Sequence, residues 1–266
     1  MVDLSQYKNI LVTQEGAVLN LTLNRPEVMN ALDHQTMDEI RACFEQCERD
    51  KSVEVIILRG AGRAFSAGGD LKRHLNEHQD ALLMETIGRN AVETFGLIEK
   101  SKKLYIAVVD GTCVAGGMEM VVCCDFIIVT EKAKFTDGHL NFALLPGAGG
   151  TQRIPRMIGA LKAKDIMLTA RFFNGEEAYS MGLASYFWKS DEVEEKVTDL
   201  VSSLLSKSFA ARSAVKYLVN ASQRSSLPDG LELEFSYVQH FEGTHPDTHE
   251  GISAFVEKRP PVFLKP

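Results

Sequence analysis

The sequence predicts an α/β protein with a largely parallel sheet, followed by a helical tail. Three observations carry this. Strand-like and helix-like segments alternate through the first 190 residues, an order that right-handed crossovers turn into parallel strands. From about residue 191 the pattern changes to helix after helix. Hydrophobic residues make up 45% of the 266 and charged residues 24%, which excludes disordered, collagen-like and coiled-coil chains. The length suits one large domain, or one with an appendage. The expected division is a core over 1–190 and a helical region over 191–266.

Ile10 to Val12 and Ala17 to Leu23 read as a hairpin with Glu15-Gly16 at its turn. Met37, Ile40, Phe44 and Cys47 then share one helical face. Val53 to Leu58 is a buried strand ending in Arg59-Gly60-Ala61-Gly62, and a helix over about 80–101 leads to the strand Tyr105 to Val109. A helix opening at Gly116-Gly117 precedes the strand Phe126 to Val129. In the tail, Val193, Val197, Leu200, Val201 and Leu204 form an apolar stripe, and 208–223, 228–243 and 247–258 also suit helices. So long a helical tail cannot all cover one sheet, and uncovered apolar faces usually find a neighbouring subunit.

The net charge of −7 argues against nucleic acid or an acidic membrane as the main partner. Five cysteines, Cys43, Cys47, Cys113, Cys123 and Cys124, contain no CxxC pair and read as small buried hydrophobes in a reducing compartment. Met1 to Lys8 has neither the basic nor the apolar region of a signal peptide, and Leu104 to Val109 is far too short to span a bilayer. The C-terminal Leu-Lys-Pro is not a peroxisomal address. A cytoplasmic protein is expected.

Several motifs invite chemistry. Gly147-Ala148-Gly149-Gly150 fails the dinucleotide fingerprint, because Gln152 stands at the third glycine, and no GxxxxGK[ST] occurs. Ala64-Phe65-Ser66-Ala67-Gly68 lacks the first glycine of a nucleophile elbow. His74-Leu75-Asn76-Glu77-His78 matches an inverted zinc-peptidase motif, but its polar surroundings read more simply as a solvated helix, so no metal is expected. Two further segments, Arg63 to Lys72 and Val108 to Met120, each place a glycine-rich turn after a buried strand, the second opening a helix. Peptide N–H groups at such turns lack partners, and two of them aimed at one carbonyl oxygen make an oxyanion hole. Glu119, in the first turn of that helix, is placed to act as a base.

Together with Asn24 to Leu32, Pro146 to Arg153 and Gly251 to Lys258, these segments resemble the crotonase superfamily, the enoyl-CoA hydratase/isomerase group. The likeness runs from about residue 8 to 263 in order and spacing. It implies a spiral of ββα units, a C-terminal helical trimerisation region and acyl-CoA thioester substrates, as in fatty acid metabolism. By position it implies that the Gly69 and Gly116 N–H groups hold the thioester oxygen as an enolate forms. Val28, Ala31, Ala67, Asp70 and Leu71 would line the CoA channel, and Lys258 would approach CoA phosphates. The partners implied are an acyl-CoA and further copies of the chain, as a trimer or a dimer of trimers (a hexamer). Coenzyme A enters as part of the substrate, and no separate cofactor is implied.

One departure stands out. Hydratases of this family use two glutamates, and Glu119 fits the first. Ungapped alignment of Phe135 to Gly147 puts His139 at the second. Hydration needs a base for water and an acid for Cα, and an imidazolium can be that acid. The implied activity is therefore that of a hydratase-like lyase with Glu119 as base and His139 assisting. The alternatives are a hydrolase, decarboxylase or isomerase of the same superfamily using His139, or a His139 that only shapes the pocket.

Overall fold

The computed structural model describes residues 7–77 and 79–266. The chain divides into two compact units, one ending at Glu195 and the other spanning Lys196–Pro266.

The first unit opens with β1 (Ile10–Glu15) and β2 (Val18–Leu23), antiparallel from Ile10↔Leu23 to Glu15↔Val18. The turn is therefore Gly16-Ala17, one residue later than the sequence suggests. Gly16 supplies the positive φ of +57° that the tight reversal needs. Helix α1 (His34–Arg49) starts at Asp33, whose carboxylate accepts the Thr36 N–H at 2.8 Å, and buries Met37, Ile40, Phe44 and Cys47 as their spacing predicts. Strand β3 (Val55–Gly60) continues through Arg59-Gly60 rather than stopping before them, because both residues pair with the end of β2.

Next come β4 (Ala64–Ser66), α2 (Leu71–Glu77) and α3 (Ala81–Lys100). They are followed by β5 (Leu104–Val109), β6 (Thr112–Val114), α4 (Gly116–Val121), β7 (Phe126–Val129) and β8 (Lys134–Thr136). A 3-10 turn at His139–Phe142 leads to α5 (Gly150–Ile158), α6 (Ala160–Thr169), β9 (Phe173–Asn174), α7 (Gly175–Met181) and β10 (Tyr186–Phe187).

Among the described residues the strands form two sheets. The larger has the order β1-β2-β3-β5-β7-β10, parallel from β2 onward. Its inner strand β5 is apolar and buried along its whole length, as a strand covered on both faces is, whereas β1 and β2 alternate in burial. The smaller sheet, β4-β6-β8-β9, is what positions the site. Here β4, β6 and β8 are adjacent and parallel, so the chain leaves all three at the same end. No strand among them exceeds three residues, too short for a periodic pattern to register.

Helix α8 (Val193–Leu205) runs across the division between the units. The second unit holds α9 (Phe209–Ser222), α10 (Leu227–Thr244) and α11 (Pro246–Val256), within two residues of the expected bounds. Within it, Tyr217 and Tyr237 meet with ring centroids 5.5 Å apart, and the buried Asp247 accepts the Leu264 N–H at 2.9 Å. Its exposed side chains include Val215, Leu227, Phe235, Ile252 and Phe255. No helix among the described residues is long and apolar enough to cross a membrane.

Candidate active site

The segments that leave β4, β6 and β8 carry Gly69, Gly116 and His139 respectively, so parallel pairing delivers all three to one place. They come close because two glycines allow it. A side chain at Gly68, whose φ is +83°, would bring its Cβ to 2.8 Å from the Ala115 Cβ. At Gly117 the same atom would lie 2.7 Å from the Ser66 Cβ. Ala115 itself sits at φ 49°, ψ −119°, a conformation costly for a residue with a Cβ. That reversal turns the chain directly into α4 at Gly116, where first-turn N–H groups have no partner within the helix.

Around Gly69 the neighbouring peptides are occupied: Ala67 N–H donates to Met29 O, Gly68 N–H to Ser66 Oγ, and Asp70 N–H to Leu32 O. The Gly69 N–H has no such partner among the described residues. A methyl built on Gly116 would lie 3.7 Å from the Gly69 nitrogen, so the two peptides are neighbours. Both line a cavity of about 490 Å³, together with Ala67, Asp70, Leu71, Glu119 and His139. Met84, Ile87, Ala91 and Phe95 of α3 and Phe142 and Leu144 give that cavity an apolar wall.

Glu119 is buried, yet its carboxylate is well held. Its Oε1 accepts N–H groups from Ala148 and Gly150, each at 2.8 Å. Any side chain at Gly150 would press on that oxygen, at 3.1 Å. The glycine-rich loop before α5 thus serves to cradle a carboxylate, and Arg153 anchors it. The guanidinium makes two bonds to Glu99, at 2.8 and 2.7 Å, and a third to Ala148 O at 2.9 Å. The other oxygen of Glu119, Oε2, lies 3.8 Å from His139 Nε2, beyond hydrogen-bond range. On the opposite side of the ring, Nδ1 is 3.1 Å from Oδ1 of the buried Asp137. Burial pushes the His139 pKa down, but the Asp137 hydrogen bond and the charges of Asp137 and Glu119 outweigh it, and the net shift is upward.

Other residues singled out in the sequence fall elsewhere. Ser66 is buried and donates to Asn30 O at 2.9 Å, which makes it a structural hydroxyl and not a nucleophile. Val28 is exposed, Ala31 is buried with its carbonyl on Arg25, and neither lines the cavity. Asp70 faces Arg25 at 3.6 Å. Lys258 follows α11 in the second unit with φ 56°, closing the helix through a bond to Phe255 O. Glu77 of α2 pairs with His34 and Arg73, His74 lines the cavity, and His78 lies outside the described residues.

Three contributors have no sequence signal of their own. Asn30, buried at φ 56°, fastens the loop after β2 by donating to Ala61 O and Ala64 O and accepting from Arg25 N–H. Arg153 and Asp137 act through partners far away in sequence or on a turn with no regular pattern. A buried carboxylate beside a fixed imidazole, near two adjacent glycine N–H groups, is equipped to move protons at a carbon next to a polarised carbonyl.

Comparison with known proteins agrees. The sequence pattern of the family "Enoyl-CoA hydratase/isomerase" matches residues 13–266. A probable enoyl-CoA hydratase of Rhizobium meliloti is 35% identical over 97% of this chain and 98% of its own. A crotonyl-CoA hydratase of Syntrophomonas wolfei is 33% identical over 97% and 98%. The crystal structure of an enoyl-CoA hydratase from Bacillus anthracis superposes with a TM-score of 0.90 at 31% identity, covering 96% of this chain and 99% of that one. The fold, the order of the motifs and these likenesses all lead to one conclusion: this chain belongs to the enoyl-CoA hydratase/isomerase family of the crotonase superfamily.

Proposed function

We propose that this protein is an enoyl-CoA hydratase, a hydro-lyase that adds water across the double bond of a 2-enoyl-CoA or removes it in reverse. The observation that carries this reading is the facing pair Glu119 and His139 in the cavity that Gly69 and Gly116 also line. Glu119 takes a proton from water as its oxygen bonds Cβ. The thioester oxygen gains charge against the Gly69 and Gly116 N–H groups, and His139, as imidazolium, donates a proton to Cα. Losing one such oxyanion donor typically costs about 10²–10³ in rate. The Asp137 hydrogen bond and the charges of Asp137 and Glu119 raise the His139 pKa, which favours the form an acid needs over the water-activating base of a hydrolase.

Coenzyme A is then part of the substrate. Ala67, Asp70 and Leu71, which line the cavity, are the proposed mouth of its channel, with Val28 and Ala31 contributing from the loop after β2 and Lys258 reaching the phosphates of CoA on a neighbouring copy. The proposed assembly is a trimer or dimer of trimers built through the second unit, in keeping with the apolar side chains exposed there. The cytoplasm is the proposed compartment, supported by five free cysteines.

A panel of enoyl-CoA thioesters tests the activity. Expected are loss of the conjugated-enone absorbance and a product heavier by one water in mass spectrometry. Release of free CoA or of a shortened acyl-CoA instead would overturn the hydratase reading.

A further inference from the structure

His139 lies between two carboxylates. Asp137 Oδ1 is 3.1 Å from Nδ1 and Glu119 Oε2 is 3.8 Å from Nε2, with both acids buried. Two anions this close, withdrawn from water, need a cation between them or one must be protonated. The ring occupies that place. Its two nitrogens are distinct, and the hydrogen bond made by one determines what the other presents.

We propose that Asp137 is the positioning residue of this site: by binding Nδ1–H it locks the imidazole as a cation with Nε2–H turned to Glu119 and the cavity. The proposal rests on the hydratase reading for its catalytic meaning, but the locked cation is measurable without turnover. In one step the water oxygen bonds Cβ as the C=C π bond opens, a water O–H bond breaks as Glu119 gains the proton, and the imidazolium N–H bond breaks as the Cα–H bond forms. Glu119 and His139 both end neutral, and a proton passing from Glu119 to His139 restores the starting charges. Asp137 keeps its charge throughout and touches no reacting atom.

The surroundings of His139 leave these two acids in command. The turn His139–Phe142 packs against α6, whose Lys162, Lys164 and Asp165 are exposed, with Asp165 held by Arg171 at 2.7 Å. Behind Glu119, the charge of Arg153 is taken up by Glu99. Along the cavity, Asp33 and Asp70 face Arg25, Glu77 faces His34 and Arg73, Asp38 accepts from Asn90 Nδ2 at 3.1 Å, and His74 lines the wall from α2.

The test is a side-chain ¹⁵N NMR titration of His139 in the wild type and in Asp137→Asn, beside the pH profile of kcat/KM. Both ring nitrogens should be protonated at neutral pH in the wild type, a measurement that needs no variant. In Asp137→Asn the His139 titration should move to lower pH. The alkaline limb of kcat/KM should move with it, and kcat at pH 8 should fall by about 10-fold or more, within the range that acid–base groups supply. A neutral wild-type ring at pH 7 would overturn the proposal, as would a folded Asp137→Asn protein whose titration and limb stay in place. A displaced titration in a protein inactive on every enoyl-CoA would support the locked cation and overturn the hydratase reading instead.

Discussion

Glu119 shows how a single carboxylate is prepared for work. Its Oε1 is spent on two backbone N–H groups, which fixes the side chain and leaves Oε2 facing His139, as the oxygen that the proposed hydration uses. Glu119→Gln keeps an acceptor for those groups but removes the base. Turnover of an enoyl-CoA should fall by about 10²–10⁴ with the thermal melt nearly unchanged; near-normal turnover would make Glu119 structural. Restoring the family's second glutamate by His139→Glu places a third carboxylate beside Asp137 and Glu119, where one of them must take up a proton. The single variant should therefore hydrate poorly, and Asp137→Asn with His139→Glu should recover more activity than either change alone. Steady-state rates of the three variants decide this, and strict additivity would show that positions 137 and 139 do not communicate.

At the scale of elements, the site depends on where helices begin. Helix α4 starts at Gly116 after a strained Ala115, and α5 starts at Gly150, whose N–H meets Glu119. Arg153, one turn into α5, ties that helix start to α3 through Glu99 and to the loop through Ala148 O. Since Glu99 is still partly exposed, the ion pair itself adds modest stability, about 1 kcal/mol. Its contribution is geometric. Arg153→Ala should lower kcat by roughly 10–100-fold, because displacements near 1 Å at a reacting group cost about that much. The melting temperature should move only slightly. A variant that loses stability while keeping kcat would place Arg153 outside the support of Glu119.

For the whole molecule, the second unit poses the question of assembly. Phe235, Ile252 and Phe255 are more than half exposed on a chain whose interior is otherwise well filled. Large apolar side chains in that state mark a surface made for a partner. The expected mass in light scattering is three or six times that of the chain. Phe235→Asp with Phe255→Asp should shift it toward the monomer, since buried charges without partners are costly at an interface. A wild-type monomer at micromolar concentration would refute the proposed trimer.

Much of this protein is legible from its residues alone. The spacing of Met37, Ile40, Phe44 and Cys47 foretells the buried face of α1, and glycine pairs mark the turns that become Gly69 and Gly116. These are local signals, carried within a turn or two of helix or a few residues of strand. The order of the motifs likewise points to the family and to Glu119 and His139. What the sequence leaves open is how His139 is used. Its Asp137 partner sits two residues away in a turn that has no periodicity, and Glu119 is held by peptides some thirty residues on. Those contacts exist because β4, β6 and β8, three residues each, pair in parallel and release their loops at one end. Parallel pairing joins segments separated by long crossovers, so it leaves no short-range pattern to read. Only the tertiary structure decided that the imidazole stands between two buried carboxylates.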